Sequence, residues 1–398
     1  MKHIIVVPDG MADYPLEELN DRTPLEAART TNMDFMAQNG FAGLVKTIPD
    51  KCAPGSDIGN LALLGYNPVK CFTGRAALEA ASMGIYLKDD EVAFRCNLVT
   101  VNEHAMEDYS AGHIKTEEAV PLIDELNKEI GEEHVRFYPG KSYRHIAVFK
   151  IRNPKDFMSI KTVPPHDILN KDVRKFLPHG THANMILKLM EKSKKILENH
   201  RINNVRVDLG ENPANMIWLW GQGTRPDLPS FYETRGLKGA IISAVDLVNG
   251  IGKLAGLEVV SVPGVTGYYD TNYKGKAEYA IEALKKNDFV YIHIEGPDEA
   301  GHNGDYNAKI HCIEQIDREI LGPILNHFGD AGDFRAAVMP DHPTPVSLRT
   351  HSREPVCFLM YGKGITKDGV KHFGETSTKE KGLKFKSGEA MMDFFLKK

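Results

Sequence analysis

Tyr291-Ile-His-Ile-Glu-Gly-Pro-Asp-Glu-Ala-Gly-His302 decides how the chain is read. The apolar, β-branched run from Phe289 to Ile294 has the length of one buried strand, and Gly296-Pro297 stops it. Asp298 and His302 follow four residues apart, so a helix starting here carries a carboxylate and an imidazole on one face. Such a pair offers two ligands to one divalent cation. A helix-capping aspartate and a surface histidine would read the same way, so the pair needs partners from elsewhere in the chain.

Other segments supply candidates. Lys2 to Gly10 is a short apolar strand broken at Pro8, with Asp9 at its carboxyl end. Ligands of open α/β sheets gather at that end, which makes Asp9 a candidate site residue, although a simple Asp-Gly turn has the same signature. Leu25 to Gly40 has helical periodicity. In Lys51-Cys-Ala-Pro-Gly-Ser-Asp-Ile-Gly-Asn60 the small residues before Ser56 permit close backbone approach, and the apolar run from Ile58 to Leu64 sets a helix start beside it. Ser56 is then either an N-cap or a nucleophile whose phosphoester is held by backbone N–H groups and a metal. Late in the chain, the strand Phe334 to Met339 runs into Pro340-Asp341-His342, and Thr350-His351 precedes a strand over Val356 to Tyr361.

Strand and helix alternate from Gly239 onward, the pattern of an α/β sheet covered by helices. Residues 73–229 have another texture: strands over Val92 to Thr100 and His145 to Lys150 mix with helices over Ala76 to Met83, Thr116 to Ile130 and Thr181 to Asn199. The expectation is an α+β domain inserted into an α/β domain made of residues 1–72 and 230–398. Gly221-Gln-Gly-Thr-Arg-Pro-Asp-Leu-Pro229 reads as the linker that closes it. Within the insert Arg75, Arg95, His113, Lys141, Arg144, His145 and His166 sit beside turns. The planar fork of arginine suits a phosphate or carboxylate, so the set suggests a small acidic substrate.

Composition narrows the class. The 398 residues, 42% hydrophobic and 26% charged, suffice for two domains with their own cores. A formal net charge of −5 leaves no footprint for nucleic acid or an anionic membrane. Cys52, Cys71, Cys96, Cys312 and Cys357 are scattered and never paired as C-x-x-C, which suits a reducing compartment and argues against a cysteine zinc cluster. No apolar run reaches membrane-spanning length, and the N-terminus reads as a strand rather than a signal peptide. The expected protein is cytoplasmic, a monomer or small homo-oligomer.

Asp9, Ser56, Asp298, His302, Asp341, His342 and His351 together are enough ligands for two divalent ions. Oxygen and imidazole nitrogen without thiolate suit manganese, magnesium or zinc. Two ions suit phosphoryl transfer, one activating the nucleophile and the other neutralising non-bridging oxygens. The order of these residues, with Ala53-Pro-Gly-Ser-Asp57 and Gly296-Pro-Asp298, resembles the alkaline phosphatase superfamily. With Leu63-Leu-Gly-Tyr-Asn-Pro68, Thr73-Gly-Arg75, Phe94-Arg-Cys-Asn97, Tyr143-Arg-His145 and Pro164-Pro-His-Asp167, nearly the whole chain resembles the archaeal-type cofactor-independent phosphoglycerate mutases.

That resemblance implies an alkaline-phosphatase-like sheet sandwiched by helices and a serine, Ser56, that is transiently phosphorylated. It implies one ion on Asp9, Ser56, Asp341 and His342 and another on Asp298, His302 and His351, with Mn²⁺ the first choice. The implied reaction interconverts 3-phosphoglycerate and 2-phosphoglycerate without 2,3-bisphosphoglycerate. The insert would close over this small phosphorylated acid, with Arg75, Arg95 and Lys141 binding it and His113, Arg144 and His145 assisting the chemistry. Two details depart from the archaeal pattern: Ala-Gly-His113 stands where Ala-Gly-Arg is expected, and Ala80-Ala-Ser-Met-Gly84 resembles a bacterial branch proposed to act as homoserine kinase. An ATP-dependent homoserine kinase on the same scaffold is therefore the alternative.

Overall fold

The computed structural model describes residues 1–131, 134–329 and 332–397. The backbone forms two compact units, Met1–Phe72 with Asp227–Lys398, and Thr73–Pro226. Residues 227–229 belong with the first unit, where Tyr66 Oη donates to the Pro229 carbonyl at 2.9 Å.

The first unit is α/β. Its eight-stranded sheet runs in the order Leu383–Phe385, Phe41–Val45, Val356–Gly362, Phe334–Val338, Lys2–Pro8, Phe289–Ile294, Gly239–Ile242 and Glu258–Val259. The four strands from Phe334–Val338 to Gly239–Ile242 are mutually parallel, so their carboxyl ends lie side by side. Phe289–Ile294 has the boundaries read from its apolar run. Alternation along it separates two faces: Val290, Ile292 and Ile294 join Ile4, Val6, Ala336 and Val338 in one buried core, while Tyr291 and His293 point the other way. On that second face Tyr291 meets Asn60 of the helix Ser56–Leu63, and His3 packs its ring edge-on against Phe395 of the helix Gly388–Leu396. Helices thus cover both faces of the sheet.

Leu25 to Gly40 is two helices, Pro24–Ala27 and Thr31–Asn39. A Thr23–Glu26 capping box closes the first turn, and Ala28 is extended. The second helix starts afresh because the Asp317 carboxylate accepts the N–H groups of Asn32 and Met33, at 3.1 and 2.7 Å.

The second unit is an antiparallel α+β fold. Glu91–Asn102 is its central strand, flanked by Arg144–Lys150 on one side and Met216–Thr224 on the other. The helix Thr116–Ile130 buries Ala119, Leu122, Ile123, Leu126 and Ile130, a 3–4 spacing that lays one stripe on the sheet's main core. On the opposite face Ala76, Ala77 and Ala80 of the helix Arg75–Ser82 meet Ala93, Ile146 and Val148. Gly221 to Thr224, expected as linker, completes a strand. Gly221 at φ +61 lies at a register shift against Ala93 and Arg95, so the glycine marks a β-bulge rather than a hinge.

Candidate active site

Sheet register gathers the polar side chains. His293 lies opposite Val7, and the Asp9 N–H donates to the Ile294 carbonyl at 2.9 Å, just past the strand ends. Val338 pairs with Val6, which carries Asp341 and His342 to the same level. Gly10 has φ +62, and a Cβ there would lie 2.5 Å from both Asp298 Oδ1 and Thr344 Oγ1. Only glycine permits that turn against Asp298. Gly55 caps the helix Ser56–Leu63, and Ser56 is its first residue, so Ser56 is not an N-cap. One turn on, Asn60 donates from Nδ2 to Asp341 Oδ2 at 2.9 Å and accepts from Tyr291 Oη at 2.6 Å.

All seven sequence-derived ligand candidates meet in this unit, and His342 stands between two subsets. Its Nε2 is 3.2 Å from Ser56 Oγ, 3.5 Å from Asp9 Oδ1 and 3.4 Å from Asp341 Oδ2. Donor atoms of Asp298, His342 and His351 also lie within 4.8 Å of one another. His302 Nε2 is 3.3 Å from Asp298 Oδ2 and 2.9 Å from His351 Nε2. Carbonyl oxygens can only accept, so the contacts of His342 Nδ1 with Pro343 O (3.3 Å) and of His302 Nδ1 with Arg349 O (3.1 Å) place hydrogens on Nδ1. His342, lowered by burial, then faces Asp9 and Asp341 with a free Nε2 lone pair, whereas His302, raised to about 9 by its hydrogen bond to Asp298, would give up its Nε2 proton on ligating a metal.

Electrostatics give a second reason for cations here. Asp9 and Asp341 are fully buried and Asp298 nearly so. Burial, then the charges of Asp341, Glu295 and Asp298, raise Asp9 well above the carboxylate range. Burial and Asp298 push Glu295 up to about 8. Burial opposes ionisation of Asp298 as well, but hydrogen bonds from His302 and His351 hold it well below its ordinary value. Among the described residues Asp9 Oδ1 and Glu295 Oε2 accept no hydrogen bond although both are buried. A dense set of oxygens with unused lone pairs, joined by imidazole nitrogens and no thiolate, fits divalent ions of the manganese, magnesium or zinc kind. A buried strut supports the set: Lys309 Nζ bonds Asp13 Oδ2 at 2.6 Å and the Thr344 carbonyl at 2.8 Å, while Thr344 Oγ1 donates to Asp298.

His293 was not among the expected site residues. Its Nε2 is 2.7 Å from Asp9 Oδ2, and burial drives the ring down to about 3, so it is neutral. The signal was present in Phe289 to Ile294, where a histidine interrupts an otherwise apolar strand. A buried polar ring there is costly unless it is bonded.

The second unit carries its own cluster. The Arg95 guanidinium lies 3.8 Å over the Trp220 ring and bonds Glu79 at 2.9 Å. His166 packs edge-on against Trp220 and Tyr109, Tyr109 against Tyr143, and Tyr143 against His113, with Arg144 also over Tyr143. Burial, and then the charges of Arg95 and Arg75, lower His166. The aromatic frame of Trp220, Tyr109 and Tyr143 was not anticipated: Trp220 lies on the strand Met216–Thr224, and Tyr109 and Tyr143 reach it from turns. Lys141 is exposed on the turn before Arg144, whose N–H its carbonyl accepts at 3.1 Å.

His145 sits differently. It is 2% exposed, Nδ1 accepts the Gly140 N–H at 3.0 Å, and burial lowers the ring to about 3. A folded-state value below the free one means stability is complete above about pH 6.5 and falls as pH drops towards 3. His145→Asn keeps an acceptor for Gly140. Its unfolding free energy, measured in urea, is expected to fall less steeply than wild type between pH 6 and 4, by up to about 1.4 kcal/mol per pH unit. Parallel curves would show that His145 does not govern this acid lability.

The chain is 50% identical over 381 residues, 95% of each chain, to a 2,3-bisphosphoglycerate-independent phosphoglycerate mutase of Methanosarcina mazei. It belongs to that mutase family. The family model described as 2,3-bisphosphoglycerate-independent phosphoglycerate mutase matches residues 37–203. A bacterial relative from Geobacter sulfurreducens, called a probable mutase of this family, is 47% identical across the full length of both chains, 401 aligned positions. The solved cofactor-independent phosphoglycerate mutase of Thermoplasma acidophilum superposes with a TM-score of 0.69 at 29% identity, covering 100% of this chain and 99% of that one. These mutase relatives, bacterial as well as archaeal, lend no support to the homoserine kinase alternative.

Proposed function

We propose that this chain interconverts 3-phosphoglycerate and 2-phosphoglycerate through a phosphoserine on Ser56, with two divalent ions and without 2,3-bisphosphoglycerate. The observation that carries the reading is Ser56 Oγ, first residue of its helix, 3.2 Å from His342 Nε2 beside Asp9 and Asp341. Asp9, Ser56, Asp341 and His342 would hold one ion, and Asp298, His302 and His351 the other. The ions would lower the pKa of the serine hydroxyl and neutralise charge on the phosphoryl oxygens. Mn²⁺ is our choice among them, on a donor set of hard oxygens with borderline imidazoles.

Ser56 Oγ attacks phosphorus, the bond from phosphorus to the C3 oxygen breaks, and the serine proton leaves with that oxygen. The glycerate then reorients, its 2-hydroxyl attacks the phosphoserine, and Ser56 regains a proton. Arg75, Arg95 and Arg144 would bind the carboxylate and phosphate through bidentate hydrogen bonds. His113 and His166, in the same cluster, would set the acid's orientation. The five free cysteines favour the cytoplasm as its compartment. No helix, among the described residues, is long and apolar enough to cross a membrane.

Purified protein with Mn²⁺ and 3-phosphoglycerate is expected to form 2-phosphoglycerate with no bisphosphoglycerate added, followed by ³¹P NMR. Absence of conversion in metal-loaded, folded protein would refute the assignment.

A further inference from the structure

We infer that His293 is a positioning residue for Asp9: it holds Oδ2 and thereby turns Oδ1 towards the ion gathered by Asp341, His342 and Ser56, with Ser243 fixing the ring. This rests on the two-metal reading above. A competing role exists, because donor atoms of Asp9, His293 and Asp341 also lie within 4.8 Å of one another, close enough for His293 itself to be a ligand.

The partners of the two ring nitrogens favour the positioning role. Ser243 follows the strand Gly239–Ile242, which pairs with Phe289–Ile294, and its Oγ accepts the Val245 N–H at 3.0 Å. The same Oγ is 3.2 Å from His293 Nδ1, so its own hydrogen is available to that nitrogen. His293 Nε2 then carries the ring's hydrogen and donates it to Asp9 Oδ2 at 2.7 Å. Both ring nitrogens are engaged, and neither keeps a lone pair for an ion. His342 shows the opposite pattern, with Nδ1 against a carbonyl and Nε2 facing Asp9 Oδ1, Asp341 and Ser56. Of the two Asp9 oxygens, Oδ1 is the one left without a hydrogen bond. Lys276 Nζ, bonded to the His293 carbonyl at 2.7 Å, fixes the strand from behind. Outer partners that orient a ligand in this way typically change metal affinity 10–100-fold when removed.

The test uses the whole chain, stripped of metal and titrated with Mn²⁺ alone, with free Mn²⁺ read by electron paramagnetic resonance and folding by circular dichroism. Wild type is expected to bind two ions. His293→Leu should weaken one of them by about 10–100-fold, and Ser243→Ala should weaken the same ion by a smaller factor. His293→Gln, which donates a hydrogen bond but has no imidazole, should return to within about threefold of wild type. Wild-type affinity for both ions in His293→Leu would overturn the inference. So would His293→Gln losing one ion outright, because that result makes the ring a direct ligand. Should His293→Leu not fold, the Gln and Ser243→Ala titrations decide alone. Wild type that binds no Mn²⁺ removes the metal reading itself, a result distinct from failure of the variants.

Discussion

Ser56→Ala will leave the fold intact and lower kcat by about 10⁴-fold or more. The hydroxyl is the group that forms the covalent bond in the proposed route, and removing a nucleophile leaves only binding and electrostatic stabilisation. Its side-chain contact is the 3.2 Å approach to His342, and the helix start is set by Gly55, so the substitution should shift unfolding by no more than about 0.5 kcal/mol. Ser56 also belongs to a proposed ligand set, so loss of activity has two possible origins. Mn²⁺ titration of the variant separates them: inactivity with the ion on Asp9, Asp341 and His342 still bound belongs to the missing nucleophile, and loss of that ion belongs to the ligand set. Acid quenching of wild type with ³²P-labelled 3-phosphoglycerate should trap label on the protein, and Ser56→Ala should trap none. A variant that keeps full activity would end the phosphoserine mechanism.

Strong local patterns carried the sequence reading. Phe289–Ile294 and Thr116–Ile130 have the boundaries their periodicity gave, because each presents an uninterrupted apolar face. The ligand candidates were legible for a related reason: Asp and His beside strand-ending Gly or Pro are unusual in a buried setting. What stayed hidden depends on long-range packing. His293 and Ser243 become partners only through the pairing of two strands about fifty residues apart in sequence. Lys309 reads as a solvated helix charge, yet it is fully buried because Asp13 and Thr344 come to it from distant segments. Asp317 likewise restarts a helix 285 positions earlier by accepting its first N–H groups. Gly221 reads as the start of a linker, and only the register of the partner strand shows it to be a bulge.

Removing the metal with a chelator will abolish activity, and the metal-free protein will become more stable as the pH is lowered from 8 to 6.5. The reason is the acid cluster. Burial and neighbouring carboxylates raise Asp9 and bring Glu295 to about 8, and a hydrogen bond to Asp298 holds His302 up to about 9. Each group keeps its proton in the folded state at a pH where the unfolded chain has lost it. The folded state therefore binds more protons, and stability falls as pH rises through this window. For Glu295 the slope approaches about 1.4 kcal/mol per pH unit. His293 and His145, both lowered to about 3, act in the opposite sense only below about pH 6.5, whereas Lys276, lowered by burial to about 7, opposes the acid cluster above pH 7 and offsets part of its slope. Bound Mn²⁺ keeps the carboxylates ionised when folded, so the loaded protein should lose the negative slope. At one hundred times its Kd, each ion should also add about 2.7 kcal/mol. Urea unfolding at pH 6.5, 7.2 and 8, with chelator and with excess Mn²⁺, measures both effects. A metal-free stability that is flat or rises over that range would show that cations do not balance this cluster, and full activity in chelator would remove the ions from the reaction.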